Sequence, residues 1–236
     1  MVCVRVLVVG DKGDDGAGFV GERLETVGAT LVPLDRDALC AWNDAGPTDL
    51  LFLLGSARAA YDSQHAGAVE AEARLIRAAL GSRVPVLGIC YGAQVLALAL
   101  GGQVMPARVA EVGWFRVDSR DPVLCPPGPW LQFHQDAFTP PQGVRVLGSS
   151  PGGCQGFAYE RDGVRALAWQ FHPEVTPAEL ARWLDTAGDF VREQGGDPVT
   201  IQAEADARAE VTSQAAYDLT DAALAWLGLV AARRAV

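Results

Sequence analysis

The chain comprises 236 residues, half of them hydrophobic, with 19 basic and 29 acidic side chains and a formal charge of −10. A chain of this length buries one substantial hydrophobic core. The acidic balance and the lack of a basic cluster argue against nucleic acid or an anionic membrane surface as partner, so we expect small molecules or another protein.

The cysteines and the first residues indicate a cytoplasmic protein. The five cysteines are odd in number and widely scattered without a C-x-x-C pair, which is not typical of a disulfide framework or a zinc site. They are Cys3, Cys40, Cys90, Cys125 and Cys154. The N-terminal run MVCVRVLVVG predicts a first strand rather than a signal peptide, and no apolar stretch reaches the length of a membrane span.

The first third of the chain alternates between strand and helix patterns. Apolar runs predict the strands, and amphipathic spacing predicts the helices between them. The expected elements are strands at 4–9, 29–34 and 49–54 and helices at 19–27 and 66–80. This alternation implies a mostly parallel sheet covered by helices on both faces, which is a three-layer α/β fold.

The stretch at 84–102, VPVLGICYGAQVLALALGG, predicts a buried strand, a sharp turn and a buried helix. Gly88 and Gly92 flank Cys90 at two residues on either side and permit the cramped backbone of a nucleophile elbow, with cysteine in place of serine. The thiol then lies at a helix N-terminus, whose dipole favours a thiolate. Cys90 is therefore a candidate nucleophile.

After residue 102 the pattern changes to short strands and then to helices. The strands, which extend the sheet or form a small antiparallel one, are expected at 114–118, 144–149, 156–159 and 164–170. Helices are expected at 177–193, 198–208 and 212–233. We expect one main domain at 1–194 and a C-terminal helical tail at 195–236 that packs on it.

The first loop contains two segments that resemble ligand-binding motifs. Residues 16–21 satisfy G-x-G-x-x-G, but the acidic segment at 11–15 separates them from the strand and would repel a pyrophosphate. The same loop resembles a calcium loop, except that Gly13 supplies no ligand at the third position. We expect a solvated, glycine-rich turn before a helix.

His172 is the candidate base, because a cysteine nucleophile needs a proton acceptor and a group that orients it. Of the three histidines, His65 is expected on a surface helix. His172 follows an apolar strand in the run WQFHPE, where Pro173 keeps the backbone extended and Glu174 faces the same side. The alternative is an ordinary histidine at a strand end, and the elbow cysteine favours the catalytic interpretation.

Taken together, these motifs resemble the class I, triad-type glutamine amidotransferase family. The run GICYGAQ at 88–94 is followed about eighty residues later by QFHPE at 170–174, in the order and spacing of that family. Further similarities cover nearly the whole chain, at LGSARAAYD (54–62), EVGW (111–114) and FHQDAF (133–138). The helical tail resembles that of stand-alone members described as similar to the amidotransferase part of GMP synthase.

The resemblance implies a catalytic triad of Cys90, His172 and Glu174. Cys90 would attack a γ-glutamyl carbonyl, His172 would act as base and then as acid, and Glu174 would orient the imidazole. A γ-glutamyl thioester would form and then be hydrolysed. The oxyanion would be held by the backbone N–H of Tyr91 and by one from the loop Gly55-Ser56.

Substrate-binding positions are implied at Gln94, His134 and Asp136. Gln94 matches a position that holds the α-amino and carboxylate groups of glutamine, whereas the other two are equally compatible with a polar turn after a strand. The chain departs from the family where Ser56 replaces a glycine and where Gln135 replaces another. A glycine-only backbone conformation at position 56 would compromise the oxyanion hole, and loss of one donor costs about a hundredfold to a thousandfold in rate.

Three functions agree with these features. The first is a glutaminase that gives glutamate and passes ammonia to a separate synthetase, because no synthetase domain is recognised in the sequence. The second is a γ-glutamyl hydrolase or transferase that acts on a γ-glutamyl peptide or conjugate. The third is a binding or regulatory module weakened by Ser56. We expect no cofactor and no metal in any of them, and the intact triad favours an enzyme.

Overall fold

The computed structural model describes residues 4–14, 16–39 and 45–229, so Cys3, Asp15 and Cys40 lie outside the described part. The first elements are β1 (Arg5–Gly10), α1 (Gly18–Thr26), β2 (Thr30–Asp35), β3 (Leu50–Leu53), α2 (Ala66–Gly81), β4 (Val86–Ile89) and α3 (Tyr91–Ala99). They are followed by β5 (Gln103–Phe115), β6 (Asp118–Ser119), β7 (Trp130–Thr139), β8 (Arg145–Ser150), β9 (Gly153–Arg161), β10 (Val164–Trp169), α4 (Pro177–Glu193) and α5 (Pro198–Leu227).

Eight strands form one central sheet in the order β2-β1-β3-β4-β10-β9-β8-β6. The pairs from β2 to β10 are parallel and those from β10 to β6 are antiparallel, which confirms the predicted α/β fold. Ile89 at the end of β4 lies opposite Trp169 at the end of β10. The segments that carry Cys90 and His172 therefore leave the sheet side by side.

Both faces of the parallel strands are buried, as their continuous apolar sequences require. In β1, Val6 and Val8 pack on the face that α1 and α5 cover. The alternate residues Leu7 and Val9 pack on the opposite face, against the side chains of α2 and α3. The hydrophobic core is thus divided by the sheet into two layers.

A separate antiparallel ribbon pairs β5 with β7, and the sequence predicted neither the whole of β5 nor any of β7. In β7 every second side chain from Trp130 to Phe138 is buried. Three of these buried positions are polar, namely Gln132, His134 and Asp136. The alternation of apolar and polar residues that identifies a strand is therefore hidden at β7.

The two C-terminal helices differ in how well the sequence predicts them. α4 has the predicted bounds and starts with a capping box, in which Thr176 and Glu179 bond each other's backbone N–H groups. The predicted break between 208 and 212 is wrong, because this segment holds no proline or glycine and α5 continues to Gly228, whose φ is 83°. α5 ends at Leu227, so the predicted helix to 233 is wrong at 228–229, and its remaining residues lie beyond the described ones.

α5 lies against α1 and on the same face of the sheet. Arg23 and Asp221 form an ion pair at 2.6 Å, and Phe19 and Tyr217 meet edge to face. Leu219, a buried residue of α5, joins the core layer beside α1. Within the described ranges, no helix combines the length and hydrophobicity that a membrane crossing requires.

Candidate active site

Cys90 occupies a strained turn between β4 and α3. Its backbone angles, φ 50° and ψ −111°, lie in a region that residues with a side chain rarely adopt, as expected for a nucleophile elbow. A β-carbon on Gly88 would lie 2.7 Å from the carbonyl oxygen of Gly92, and one on Gly92 would lie 2.3 Å from that of Leu53. Close backbone packing therefore requires glycine at both positions. This tight turn places Cys90 at the start of α3, where it lines the cleft described below.

His172 and Glu174 form a buried pair beside this cysteine. The distance between His172 Nδ1 and Glu174 Oε1 is 2.7 Å, and both side chains are at least 95% buried. The backbone N–H of His172 donates to the carbonyl of Leu131 at 2.9 Å, which fixes the segment after β10 against β7. The predicted arrangement, with both side chains on one side of Pro173, is therefore present.

The charges around His172 favour its protonated form. Burial lowers the pKa of His172, but the negative charges of Glu174 and Cys90 more than offset this effect and raise the pKa to about 10. His172 Nε2 has no regular hydrogen-bond partner among the described residues, and the Cys90 side chain adjoins the imidazole. A protonated imidazole beside a cysteine is the arrangement that activates the sulfur as a nucleophile.

Two other described cysteines, Cys125 and Cys154, lie in mainly apolar surroundings. Burial raises the pKa of Cys125 to about 12 and that of Cys154 to about 11. Thiols in apolar surroundings are inert near neutral pH. Among the described cysteines, Cys90 is the one with an imidazole beside it.

The loop Gly55-Ser56 passes close to the cysteine and the histidine. A β-carbon on Gly55 would lie 3.1 Å from His172 Cε1 and 3.7 Å from the β-carbon of Cys90. Ser56 does not adopt a left-handed conformation: the non-glycine residues with positive φ in the described ranges are Arg83, Cys90 and Asp162. The glycine-only backbone that we considered at position 56 is therefore not found.

Two backbone N–H groups next to the thiol are unused. Tyr91 is the first residue of α3, where an N–H has no partner within the helix. Neither the Tyr91 nor the Ser56 N–H donates a hydrogen bond to another group in the described part of the chain. Backbone N–H groups without partners near a nucleophile are the kind of donor from which an oxyanion hole is built.

The predicted site residues other than Glu174 line one cleft of about 430 Å³. Its lining includes Gly55, Ser56, Cys90, Tyr91, Gln94, His134, Gln135, Asp136 and His172. Glu174 lies behind His172, outside this lining. The carboxyl edge of the sheet and the ribbon strand β7 together form its walls, so the fold brings together residues that are more than a hundred positions apart in sequence.

The three residues predicted to bind substrate differ in their surroundings. The Gln94 amide donates to Gln170 at 3.3 Å, while its own oxygen is buried without a partner. His134 has both ring nitrogens occupied, by Gln132 and by the carbonyl of Asp136, each at 3.0 Å. Gln94 therefore retains a free acceptor, whereas His134 is held as part of the wall.

Asp136 is partnered across the cleft. The Tyr61 hydroxyl donates to Asp136 Oδ1 at 2.8 Å, which connects the loop after Ser56 to β7. Burial raises the pKa of Asp136 and outweighs the opposing effect of this hydrogen bond. Burial also raises the pKa of Tyr61, to about 12, so the phenol remains a donor.

An aromatic wall of the cleft was not found from the sequence. It consists of Phe133, Trp183 and Phe190, with ring centroids 5.6 Å apart between the first two and 6.0 Å between the first and third. The Trp183 ring also meets the His172 ring edge to face at 5.0 Å. Trp183 and Phe190 lie seven residues apart on one face of α4, which in the sequence resembles ordinary core spacing.

No grouping of three or more histidine, cysteine or acidic side chains suited to a metal is found in residues 4–14, 16–39 and 45–229. In the first loop, Asp11 instead pairs with Arg36 at 3.0 Å. The glycine-rich segment after it leads into α1, where the Phe19 N–H donates to the Glu174 carbonyl. This loop therefore supports the active-site segment.

Comparison with known proteins identifies a family for the chain. The sequence profile described as glutamine amidotransferase class-I matches residues 20–186. A GMP synthase [glutamine-hydrolyzing] of Aeropyrum pernix is 31% identical over 93% of this chain and 44% of its own length. One from Thermus thermophilus is 33% identical over 78% of this chain and 37% of its own length. The chain thus spans less than half the length of these relatives.

Solved structures give the same picture. The crystal structure of a glutamine amidotransferase from Thermotoga maritima is similar with a TM-score of 0.79 at 25% identity, over 94% of this chain and 98% of that one. A glutamine amido transferase from Methylobacillus flagellatus, at 21% identity, shares the fold with a TM-score of 0.74 over 99% of this chain and 98% of its own.

Proposed function

This chain belongs to the class I glutamine amidotransferase family, and we propose that it hydrolyses the γ-amide of glutamine through a thioester on Cys90. The observation that carries the proposal is the position of Cys90, on a strained turn beside the buried pair of His172 and Glu174. The products would be glutamate and ammonia.

The proposed reaction has two halves. The Cys90 sulfur attacks the γ-carbonyl carbon, and the N–H groups of Ser56 and Tyr91 stabilise the negative oxygen of the tetrahedral intermediate. His172 then donates its proton to the departing nitrogen, which leaves as ammonia. In the second half His172 takes a proton from water, which attacks the thioester and releases glutamate. Glu174 holds the imidazole in the required orientation throughout.

We further propose that a synthetase accepts the ammonia. The GMP synthases to which the chain is similar are more than twice as long as the matched part, and the chain resembles one portion of them. This likeness supports a synthetase as the partner and leaves its reaction open.

The aromatic wall favours one further candidate, a γ-glutamyl hydrolase or transferase acting on a conjugate. Trp183 contacts the ring of His172, the group that would protonate the leaving nitrogen, so a substituent on that nitrogen would lie toward Trp183 and Phe133. Ammonia is too small to contact these rings. Products released from glutamine and from a panel of γ-glutamyl amides, separated by mass spectrometry, distinguish the two candidates by their relative kcat/KM.

The glutaminase proposal is tested by comparing Cys90→Ser with Cys154→Ser. The Cys90 variant is expected to lose glutamate release, whereas the Cys154 variant should retain it, because Cys154 has a raised pKa and no adjacent imidazole. Unchanged turnover in Cys90→Ser would contradict the nucleophile assignment.

A further inference from the structure

The guanidinium of Arg36 is fully buried behind the loop Gly55-Ser56. Arg36 lies in a single helical turn after β2, and its side chain is 0% exposed. Nε donates to Asp11 at 3.0 Å and Nη1 to both carboxylate oxygens of Glu72 at 2.5 Å. Nη2 donates to the carbonyls of Leu54 at 3.0 Å and Gly55 at 3.1 Å. All five N–H bonds of the guanidinium therefore have acceptors.

The bond to the Gly55 carbonyl controls the direction of the next N–H. The Gly55 C=O and the Ser56 N–H belong to one peptide unit, and in a trans peptide they point in opposite directions. When Arg36 holds the carbonyl, the Ser56 N–H must point away from Arg36. The Ser56 hydroxyl is held in turn by Asp11, to which it donates at 2.5 Å. Ser56 thus has its backbone and its side chain anchored on the same charged cluster.

The same guanidinium contacts the other N–H donor segment. Its central carbon lies 4.6 Å from the centre of the Tyr91 ring, in a cation–π contact. The Tyr91 hydroxyl is buried without a hydrogen-bond partner. The ring is therefore held by stacking and packing, and Arg36 is the charged group against which it rests.

The buried charged cluster of Arg36, Asp11 and Glu72 is not explained by packing alone. A buried ion pair is often no more stabilising than apolar side chains of the same volume, so its presence calls for a role other than stability. An apolar side chain at position 36 would pack against Tyr91 but could not bond the carbonyls of Leu54 and Gly55. What the guanidinium adds is a rigid fork of defined direction.

We propose that Arg36 is a positioning residue that sets the two N–H groups of the oxyanion hole, at Ser56 and Tyr91, in one fixed relation without contacting substrate. The inference rests on the proposed function, because an oxyanion forms only if Cys90 attacks a carbonyl. It adds an element that the family resemblance did not supply.

The test compares Arg36→Lys with Arg5→Lys. Lysine keeps the positive charge but loses the fork. Arg5 is a matched control, since its guanidinium also bonds loop carbonyls, those of Ala45 at 2.9 Å and Pro47 at 2.6 Å, at the opposite end of β1. For glutamine hydrolysis, Arg36→Lys should lower kcat by about tenfold to a hundredfold, a part of the loss expected for a missing donor. Its KM should stay within about threefold, and Arg5→Lys should leave both constants unchanged.

A second readout separates positioning from general damage. Iodoacetamide alkylates a thiolate without forming an oxyanion, so its rate at Cys90, followed by peptide mass spectrometry, should change by less than about twofold in Arg36→Lys. A kcat equal to that of the wild type, or an alkylation rate that falls in parallel with kcat, would overturn the inference.

A third readout does not depend on turnover. In ¹⁵N-resolved NMR spectra the amide signals of Ser56 and Tyr91 should shift in Arg36→Lys and not in Arg5→Lys. If the wild type fails to hydrolyse glutamine, the proposed function fails, while unshifted amide signals would overturn the role of Arg36 by itself. Should Arg36→Lys not fold, Glu72→Gln removes a charge partner of the same guanidinium without removing a bond to Ser56, and the same signals are expected to move.

Discussion

Gly55 and His172 are in such close contact that a β-carbon on the glycine would lie 3.1 Å from Cε1 of the imidazole. The same β-carbon would lie 3.7 Å from that of Cys90. The backbone of the loop is therefore the surface against which the nucleophile and its base are aligned. Any side chain at this position must displace the imidazole.

Gly55→Ala should lower kcat for glutamine hydrolysis by about a hundredfold, because small displacements of reacting groups have effects of that size. The free energy of unfolding should change by less than about 1 kcal/mol, since the added methyl group requires a shift of only tenths of an ångström. Gly67→Ala is the control: its β-carbon would meet no atom within 4 Å, and α2 should be unaffected or slightly stabilised. Equal activity in both variants would contradict this role of Gly55.

Glu174→Ala should reduce kcat/KM by less than His172→Ala does. Glu174 orients the imidazole across 2.7 Å, whereas His172 carries the transferred proton. Steady-state kinetics of the two variants, with circular dichroism to verify folding, give the comparison. A larger loss of kcat/KM in Glu174→Ala than in His172→Ala would contradict the assignment of His172 as base and Glu174 as orienter.

The raised pKa of His172 makes part of the stability depend on pH. The pKa of about 10 in the folded protein exceeds its ordinary value of 6.5, so the stabilisation is complete below pH 6.5 and is lost as the pH rises through 10.

Cys90→Ala removes one of the negative charges that raise this pKa, and the His172 pKa should fall. NMR titration of the ring protons measures it in both proteins. Identical values would show that the thiol carries no charge.

Buried and exposed carboxylates on α2 should differ sharply in their effect on stability. Glu72→Ala leaves the buried Arg36 without its main partner, and loss of one member of such a pair costs about 3–5 kcal/mol. Glu70→Ala removes a surface pair with Arg77, in which Glu70 is 55% exposed, and should cost at most about 1 kcal/mol. Chemical denaturation of both variants provides the test, and similar losses would show that the Arg36 pair is not desolvated.

The elbow, the histidine segment and the parallel half of the sheet were predictable from sequence because their signals are local. Apolar runs identify buried strands, and the glycines at 88 and 92 identify the turn around Cys90. Once β4 and β10 are neighbours, Cys90 and His172 must meet. These features depend on short-range patterns and on the regular geometry of parallel sheets.

Two of the features that sequence analysis missed depend on burial of polar groups. The inward face of β7 is largely polar because it forms a cleft wall, so Gln132 and His134 hide the strand pattern. Arg36 stands in the run LDRDA, which is typical of a solvated turn, and only the tertiary structure places it under the loop of Ser56. The doubt about Ser56 was likewise a question of backbone angle, which a residue name does not determine.

The most direct test of the account is the chemical state of Cys90 during turnover. Wild-type protein mixed with glutamine, quenched in acid and digested should yield the Cys90 peptide with one added glutamyl group, held as a thioester that hydroxylamine removes. Cys90→Ser should give no hydroxylamine-sensitive thioester and no glutamate. Glutamate release by the wild type together with an unmodified Cys90 and an equally active Cys90→Ser protein would contradict the central claim.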